Sequence, residues 1–243
     1  MERLNKFLAQ AGIASRRKCD QLIKEGKVTV NGQLITNPAE RVRGEEIIKV
    51  EGKIVEKNEE LVYIQLYKPR DYLTTLSDPR GRQTVANLLY EVTARVFPVG
   101  RLDSESEGLL LFTNDGILSY FLTHPRFEVE KKYLLYVEGK LRENELSVLE
   151  KGVVVKDISY HIRRGEIKEI SSNCSIVEVT LTEGKKHEVR IMFDYLGHPV
   201  LRLIRISMGP LSLDKNLLPG KWRYLSDKEI QFLQKYKEEK LGK

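Results

Sequence analysis

Four apolar residues in a row, Leu109-Leu110-Leu111-Phe112, stand between Gly108 and the turn signal Asn114-Asp115-Gly116. A short apolar run bounded in this way reads as a strand buried on both faces. A second apolar approach, Val96, Phe97 and Val99, precedes it. Between the two lies a charged turn, Arg101-Leu102-Asp103-Ser104-Glu105-Ser106-Glu107. A carboxylate-bearing loop clamped between buried strands is held rigid, and rigid loops at strand ends are where catalytic groups sit. On charge alone, Arg101, Asp103, Glu105 and Glu107 would be read as a solvated turn.

The 243 residues leave room for one large domain or for a large and a small one, and a 41% hydrophobic content can fill a core. A formal charge of +6 and a pI near 9.1 favour an anionic partner. Cys19 and Cys174 lie far apart and match no metal spacing. They read as buried free thiols of a reducing compartment. No apolar run reaches membrane-spanning length, and the opening MERLNKFLAQ lacks a signal-peptide core. A soluble, cytoplasmic protein away from membranes is expected.

Residues 3–11 carry Leu4, Phe7, Leu8 and Ala11 at helical spacing before Gly12. Ser15 caps a second helix with Cys19, Leu22 and Ile23 inward. Val28 and Val30 lead into Asn31-Gly32, a strong hairpin signal, and Leu34-Ile35 returns. The first thirty residues hold seven Lys or Arg against three Asp or Glu, either a solvated face or a phosphate-binding one. Residues 38–62 alternate charge with Val and Ile, a strand pair that closes this small domain. The polar stretch Lys57-Asn58-Glu59-Glu60 marks the boundary, giving domains 1–60 and 61–243.

Beyond it, Leu61–Tyr67 reads as a strand ended by Lys68-Pro69. Asp78–Arg82 is a turn with two arginines, Arg80 and Arg82, and Thr84 caps a short helix. Leu118, Phe121 and Leu122 form a helical face. Lys131–Glu138 reads as a strand on which Tyr133 and Tyr136, three apart, face opposite sides. A helix over 144–151 and strands over 153–155, 162–170 and 175–182 follow. Val189, Met192, Phe193 and Leu196 share a helical face closed by Gly197, and Arg202 and Arg205 alternate on the next strand. Trp222–Leu225 is a last strand. Ser226-Asp227-Lys228-Glu229 has capping-box spacing for a terminal helix whose tail, KEEKLGK, is expected to fray.

The string GRLDSESEGLLLFTNDG resembles the signature of pseudouridine synthases of the RsuA/RluB type, with Ser106 where many members carry Thr. LNKFLAQAGIASRRKCDQLIKEGKVTVNGQLI resembles the small S4-like RNA-binding domain. After it come KP, GRLD, KxY and EGKKHEVR, in the family's order. The resemblance implies an α+β chain: a pseudouridine synthase fold with a mixed, mainly antiparallel central sheet and flanking helices, plus a small N-terminal S4-like α/β domain. It implies that Asp103 is the essential residue, paired with Arg190 of the HxVR motif in a partly dry pocket. Tyr133 would stack on the target base and Leu203 pack against it. Arg101, Arg80, Arg82, Lys185 and Lys186, with Arg16, Arg17 and Lys18 of the small domain, are candidate RNA contacts. His187 receives no catalytic role. The reaction converts a uridine to its isomer, so no cofactor or metal is implied, and a monomer is expected. DPRGRQTV and EGKK…RLIRI are closer to the RluB type, which acts on 23S rRNA near the peptidyl-transferase centre. The RsuA type, acting on 16S rRNA, is the alternative. A catalytically silent rRNA-binding factor would need Asp103 lost. A glycosidase pair of Asp103 with Glu105 or Glu107 would need two carboxylates facing one bond from opposite sides.

Overall fold

A computed structural model describes residues 1–56 and 60–242. The chain forms two units, Met1–Leu61 (with Asn114–Gly116) and Val62–Thr113 with Ile117–Lys243. Of the polar stretch placed at the boundary, residues 57–59 lie outside the described residues.

In the first unit, α1 (Leu4–Gln10) and α2 (Arg16–Lys24) precede β1 (Val28–Val30), β2 (Gln33–Ile35), β3 (Ile48–Val50) and β4 (Lys53–Ile54). The four strands form an antiparallel sheet in the order β2-β1-β3-β4. Ser15 Oγ accepts the Lys18 N–H as an N-cap, and Asn31 and Gly32 both take positive φ (49° and 80°) in the β1–β2 turn. That pair of values is what a two-residue hairpin matching the strand twist requires. Leu4, Phe7, Leu8, Cys19, Ile23, Val28 and Ile48 fill the core, and Asn5 Nδ2 ties α1 to Asp20 of α2 at 2.7 Å. Cys19 is buried as expected, whereas Cys174 of the second unit is half-buried; neither is part of a disulfide.

The second unit is built on one large sheet. Its main strands are β5 (Tyr63–Lys68), β6 (Glu107–Thr113), β7 (Lys131–Glu138), β8 (Arg164–Ile170), β9 (Cys174–Leu181), β10 (Val200–Met208) and β11 (Trp222–Tyr224). Their order is β8-β9-β7-β10-β6-β5-β11, and only β10 and β6 run parallel. Strand β6 begins at Glu107, so the charged turn is shorter than its run of charges suggests.

All seven residues of β6 are buried. Leu109 and Leu111 pack with Leu118, Phe121 and Leu122 of α3 (Gly116–Thr123) and Leu233 of α6 (Asp227–Leu241). Leu110 and Phe112 belong to the opposite layer, with Leu146 and Leu149 of α4 (Glu143–Lys151) and Met192 and Phe193 of α5 (Glu188–Tyr195). The unbroken apolar run is therefore the signature of a strand with helices on both sides. Residues 85–88 form a 3-10 turn with Thr84 at its cap, and α6 stays helical to Leu241 instead of fraying over the last seven residues.

The capping box read from Ser226 and Glu229 is present and extended. Arg223 grips the Glu229 carboxylate with two donors at 2.7 and 2.8 Å, and Ser226 adds its N–H at 2.8 Å. The Arg223 fork holds Glu229 down at about 2, from 4.5. A carboxyl depressed on folding stabilises above its unfolded pKa, and that contribution is lost as pH falls from 4.5 toward 2. With the side chain 23% exposed, the discounted contribution is roughly 2 kcal/mol. Urea unfolding of Glu229→Gln at pH 7 should show a loss of that size, shrinking as the pH is taken to 3.

Candidate active site

The cleft lies on the second unit, on the face of the sheet covered by α5. It encloses about 520 Å³ and is lined by the 101–106 loop, β7, β10 and the approach to α5. That volume is in the range of small-molecule sites.

The loop is braced from below. Lys68, fully buried at the end of β5, donates from Nζ to the carbonyls of Pro69 (2.9 Å), Ser104 (3.1 Å) and Ser106 (2.7 Å). Burial pulls its pKa down to about 8, so an ammonium still faces those carbonyls at neutral pH. Thr74 Oγ1 donates to the Leu102 carbonyl at 2.6 Å, and the Ser106 N–H closes the turn on the Asp103 carbonyl at 3.0 Å. In the sequence Lys68 belongs to the KP motif without a role of its own, and Thr74 gives no signal. The apolar neighbours of Lys68 in β5 were the available signal, because a lysine in a buried strand must find acceptors.

Asp103 lines the cleft with its side chain 42% exposed, so it does not sit in a dry pocket. Its Oδ2 lies 3.8 Å from His187 Nδ1. Arg190 enters the same cleft from α5, but its ion-pair neighbour is Glu105, at 3.6 Å from Nη2. The expected Asp103–Arg190 pair is thus not formed. The turn presents two carboxylates to α5, and Asp103 meets the helix cap while Glu105 meets the first turn. Arg190 Nη1 donates to the Val200 carbonyl at 2.9 Å, whereas its buried Nε and Nη2 make no hydrogen bond.

Tyr133 and Leu203 line the cleft from adjacent strands, 8% and 6% exposed. The β7–β10 register shifts between Lys132 and Tyr133, an irregularity of the kind that re-aims side chains beside active sites. Tyr136 faces the other way, with the Arg202 guanidinium 5.6 Å from its ring centre. Arg202 also clasps Glu107 with two donors at 2.9 and 2.8 Å. Glu107 is therefore a buried partner of Arg202 and takes no part in the cleft.

Arg101, Lys185 and Lys186 line the cleft and are exposed. Lys185 Nζ is already engaged by Glu183 at 2.6 Å and the Ser159 carbonyl at 2.9 Å. Arg80 and Arg82 lie outside the lining, and Arg82 is clasped by Asp78 of its own turn at 2.7 and 3.1 Å. A guanidinium neutralised within its turn is a weaker phosphate contact than its charge suggests. Arg16, Arg17 and Lys18 are exposed on the first turn of α2 in the first unit.

The fold is shared with a solved enzyme. A crystal structure of a pseudouridylate synthase superposes with a TM-score of 0.68 at 28% identity, covering 96% of this chain and all of the other. The RNA pseudouridylate synthase profile matches residues 62–195, and the S4 domain profile matches residues 2–48. An uncharacterized RNA pseudouridine synthase of Aquifex aeolicus is 44% identical over 94% of this chain and 92% of its own length. Ribosomal large subunit pseudouridine synthase B of Bacillus subtilis is 39% identical over 96% of both. The chain belongs to the RNA pseudouridylate synthase family and carries an N-terminal S4 domain.

Proposed function

We propose that this enzyme isomerises one uridine of ribosomal RNA, in 23S rRNA near the peptidyl-transferase centre, and that Asp103 is its essential group. The choice of large-subunit RNA rests on likeness to the Bacillus subtilis synthase B across nearly the whole of both chains. The observation that carries the chemistry is the convergence of Asp103, Tyr133, Leu203 and Arg190, from four separate elements, on one cleft of nucleoside size.

The reaction breaks the N1–C1′ bond, turns the uracil and rejoins it through C5. Asp103 supplies the anion, by attack on C1′ or C6 or by taking the C2′ proton. Tyr133 and Leu203 sandwich the ring while it turns. Arg190 has two buried donors without a hydrogen bond, ready for a carboxylate or a substrate oxygen. A uridine within a helix hides its sugar and base, so the target is extruded at a cost of a few kcal/mol. Lys186, Arg101 and the basic turn of α2 offset that cost by holding flanking RNA; Arg80 contributes from outside the cleft. The protein works in the cytoplasm as a monomer, with residues 1–60 as the RNA anchor and 61–243 as the catalytic domain.

Pseudouridine mapping in rRNA from cells with and without the protein tests the target. A site lost from 23S rRNA supports the reading, and one lost from 16S rRNA alone overturns the choice of subunit. Replacing Arg16, Arg17 and Lys18 together by Ala should weaken rRNA binding and flatten the plot of log affinity against log salt by roughly 2 to 3, close to one for each phosphate no longer neutralised. Titrations at several salt concentrations measure that slope.

A further inference from the structure

Extruding a uridine takes a stacking partner away from the bases on either side of it, and a protein ring beside the site can replace that partner. We propose that Tyr120 is such a ring, stacking on an unpaired nucleotide that flanks the target, with Arg126 on its phosphate. This deepens the proposed reading of the cleft and rests on it.

Tyr120 lies on the outer face of α3 and is 47% exposed. Its ring belongs to a cluster at the end of that helix. The His124 ring centre is 4.8 Å away at an interplanar angle of 52°, and Phe127 meets Tyr120 edge to face at 5.8 Å and 88°. Phe127 in turn packs at 5.0 Å on Phe121, which is 2% exposed. The cluster is therefore fixed to the core on one side and open on the other. His124 Nδ1 accepts the Arg126 N–H at 3.3 Å, and Glu128 closes the turn in the left-handed region at φ 46°. Rings held in this way lose little freedom when a base stacks on them.

Arg126 brings charge to the same patch. Its guanidinium carbon stands 4.4 Å from the Phe127 ring centre and 5.4 Å from that of Tyr120. Among the described residues no carboxylate lies within 4 Å of it. Arg82, Arg202 and Arg223, by contrast, are each clasped by an acid. An exposed, unneutralised guanidinium laid against aromatic rings matches a nucleotide, which brings a flat base and a phosphate together. An apolar protein partner would have to desolvate that charge without compensation.

The patch adjoins the cleft. A Cβ built on Gly100 would lie 3.3 Å from Thr123 Cγ2, so Thr123 packs against Gly100. Gly100 precedes Arg101 of the cleft lining, and Thr123 precedes His124 of the patch. One residue on either side of that contact joins the rim of the cleft to the rings.

The test compares full-length wild type, Tyr120→Ala, Tyr120→Phe and Arg126→Ala on transcripts of 16S and 23S rRNA, by tritium release and by filter binding at several salt concentrations. Tyr120→Ala should raise KM about 10-fold with kcat within about twofold, and weaken binding equally at every salt concentration. Tyr120→Phe keeps the ring and should stay within about twofold of wild type. Arg126→Ala should weaken binding and flatten the plot of log affinity against log salt by about 0.7, the value for one phosphate of a single strand. A helix end merely loosened by substitution would not confine the change in slope to the Arg126 variant. An unchanged KM in Tyr120→Ala, an equal loss in Tyr120→Phe, or an unchanged slope in Arg126→Ala would overturn the proposal. So would a wild-type dimer that Tyr120→Ala converts to a monomer, which would assign the patch to a second copy of this chain. Wild-type enzyme inactive on both RNAs would instead overturn the proposed function, and this inference with it.

Discussion

Asp103→Asn should release no measurable tritium from C5-labelled uridine in rRNA, a loss of at least four orders of magnitude, equivalent to more than about 5 kcal/mol in the barrier. The substitution keeps the size and most of the shape of the side chain and removes its charge. Attack on carbon and removal of a sugar proton both require an anion at this atom, so the outcome does not depend on the route. The fold should be indifferent, because Asp103 is 42% exposed and the one basic side chain within 4 Å of its carboxylate among the described residues is His187. RNA affinity should be unchanged or slightly higher, because a negative charge is removed from a surface that meets phosphates. Filter binding and a thermal melt on the same preparation separate lost chemistry from lost structure. Turnover within tenfold of wild type would remove Asp103 from the mechanism.

The second large effect is structural. Gly108 takes φ +102° and bridges to Arg205 where β6 and β10 run parallel. A Cβ placed there would lie 2.3 Å from the Arg205 carbonyl oxygen and 2.7 Å from the Arg205 nitrogen. Both are backbone atoms of a central strand, so no side-chain rotation relieves the clash. Gly108→Ala must part the two strands and also hold a positive φ, at a combined cost of roughly 3–5 kcal/mol. For a chain of this size that lowers Tm by about 10 °C. Activity should fall as well, because the parted strands carry the Asp103 loop and Leu203. Calorimetry showing a shift under about 2 °C would mean that the sheet yields at this point far more easily than a packed core does. In the sequence Gly108 reads as the boundary of a strand. In the fold it is an interior position that only glycine fits.

Elements closed by near neighbours were legible. The Asn31-Gly32 hairpin, the Ser15 and Ser226 caps, the span of β7 and the doubly covered β6 follow from turn chemistry and periodicity. In each, the partners lie within a few residues of one another or the pattern itself records the burial. The roster of the cleft was legible too: Arg101, Asp103, Tyr133, Lys185, Lys186, Arg190 and Leu203 all line it. The pairings within the cleft were not. Glu107 and Arg202 are 95 positions apart and meet across the sheet, and nothing near either residue announces the other.

The sequence alone therefore determined the elements, the family and the residues that face the cleft, because periodicity, caps and motif order are local properties of the chain. Tertiary structure decided that Lys68 braces the 101–106 loop, that His187 stands beside Asp103, that Arg190 meets Glu105, and that Asp103 is open to water. Those outcomes depend on strand order and on side-chain reach measured in ångströms, and a strand order of β7-β10-β6 is a property of the whole packed sheet.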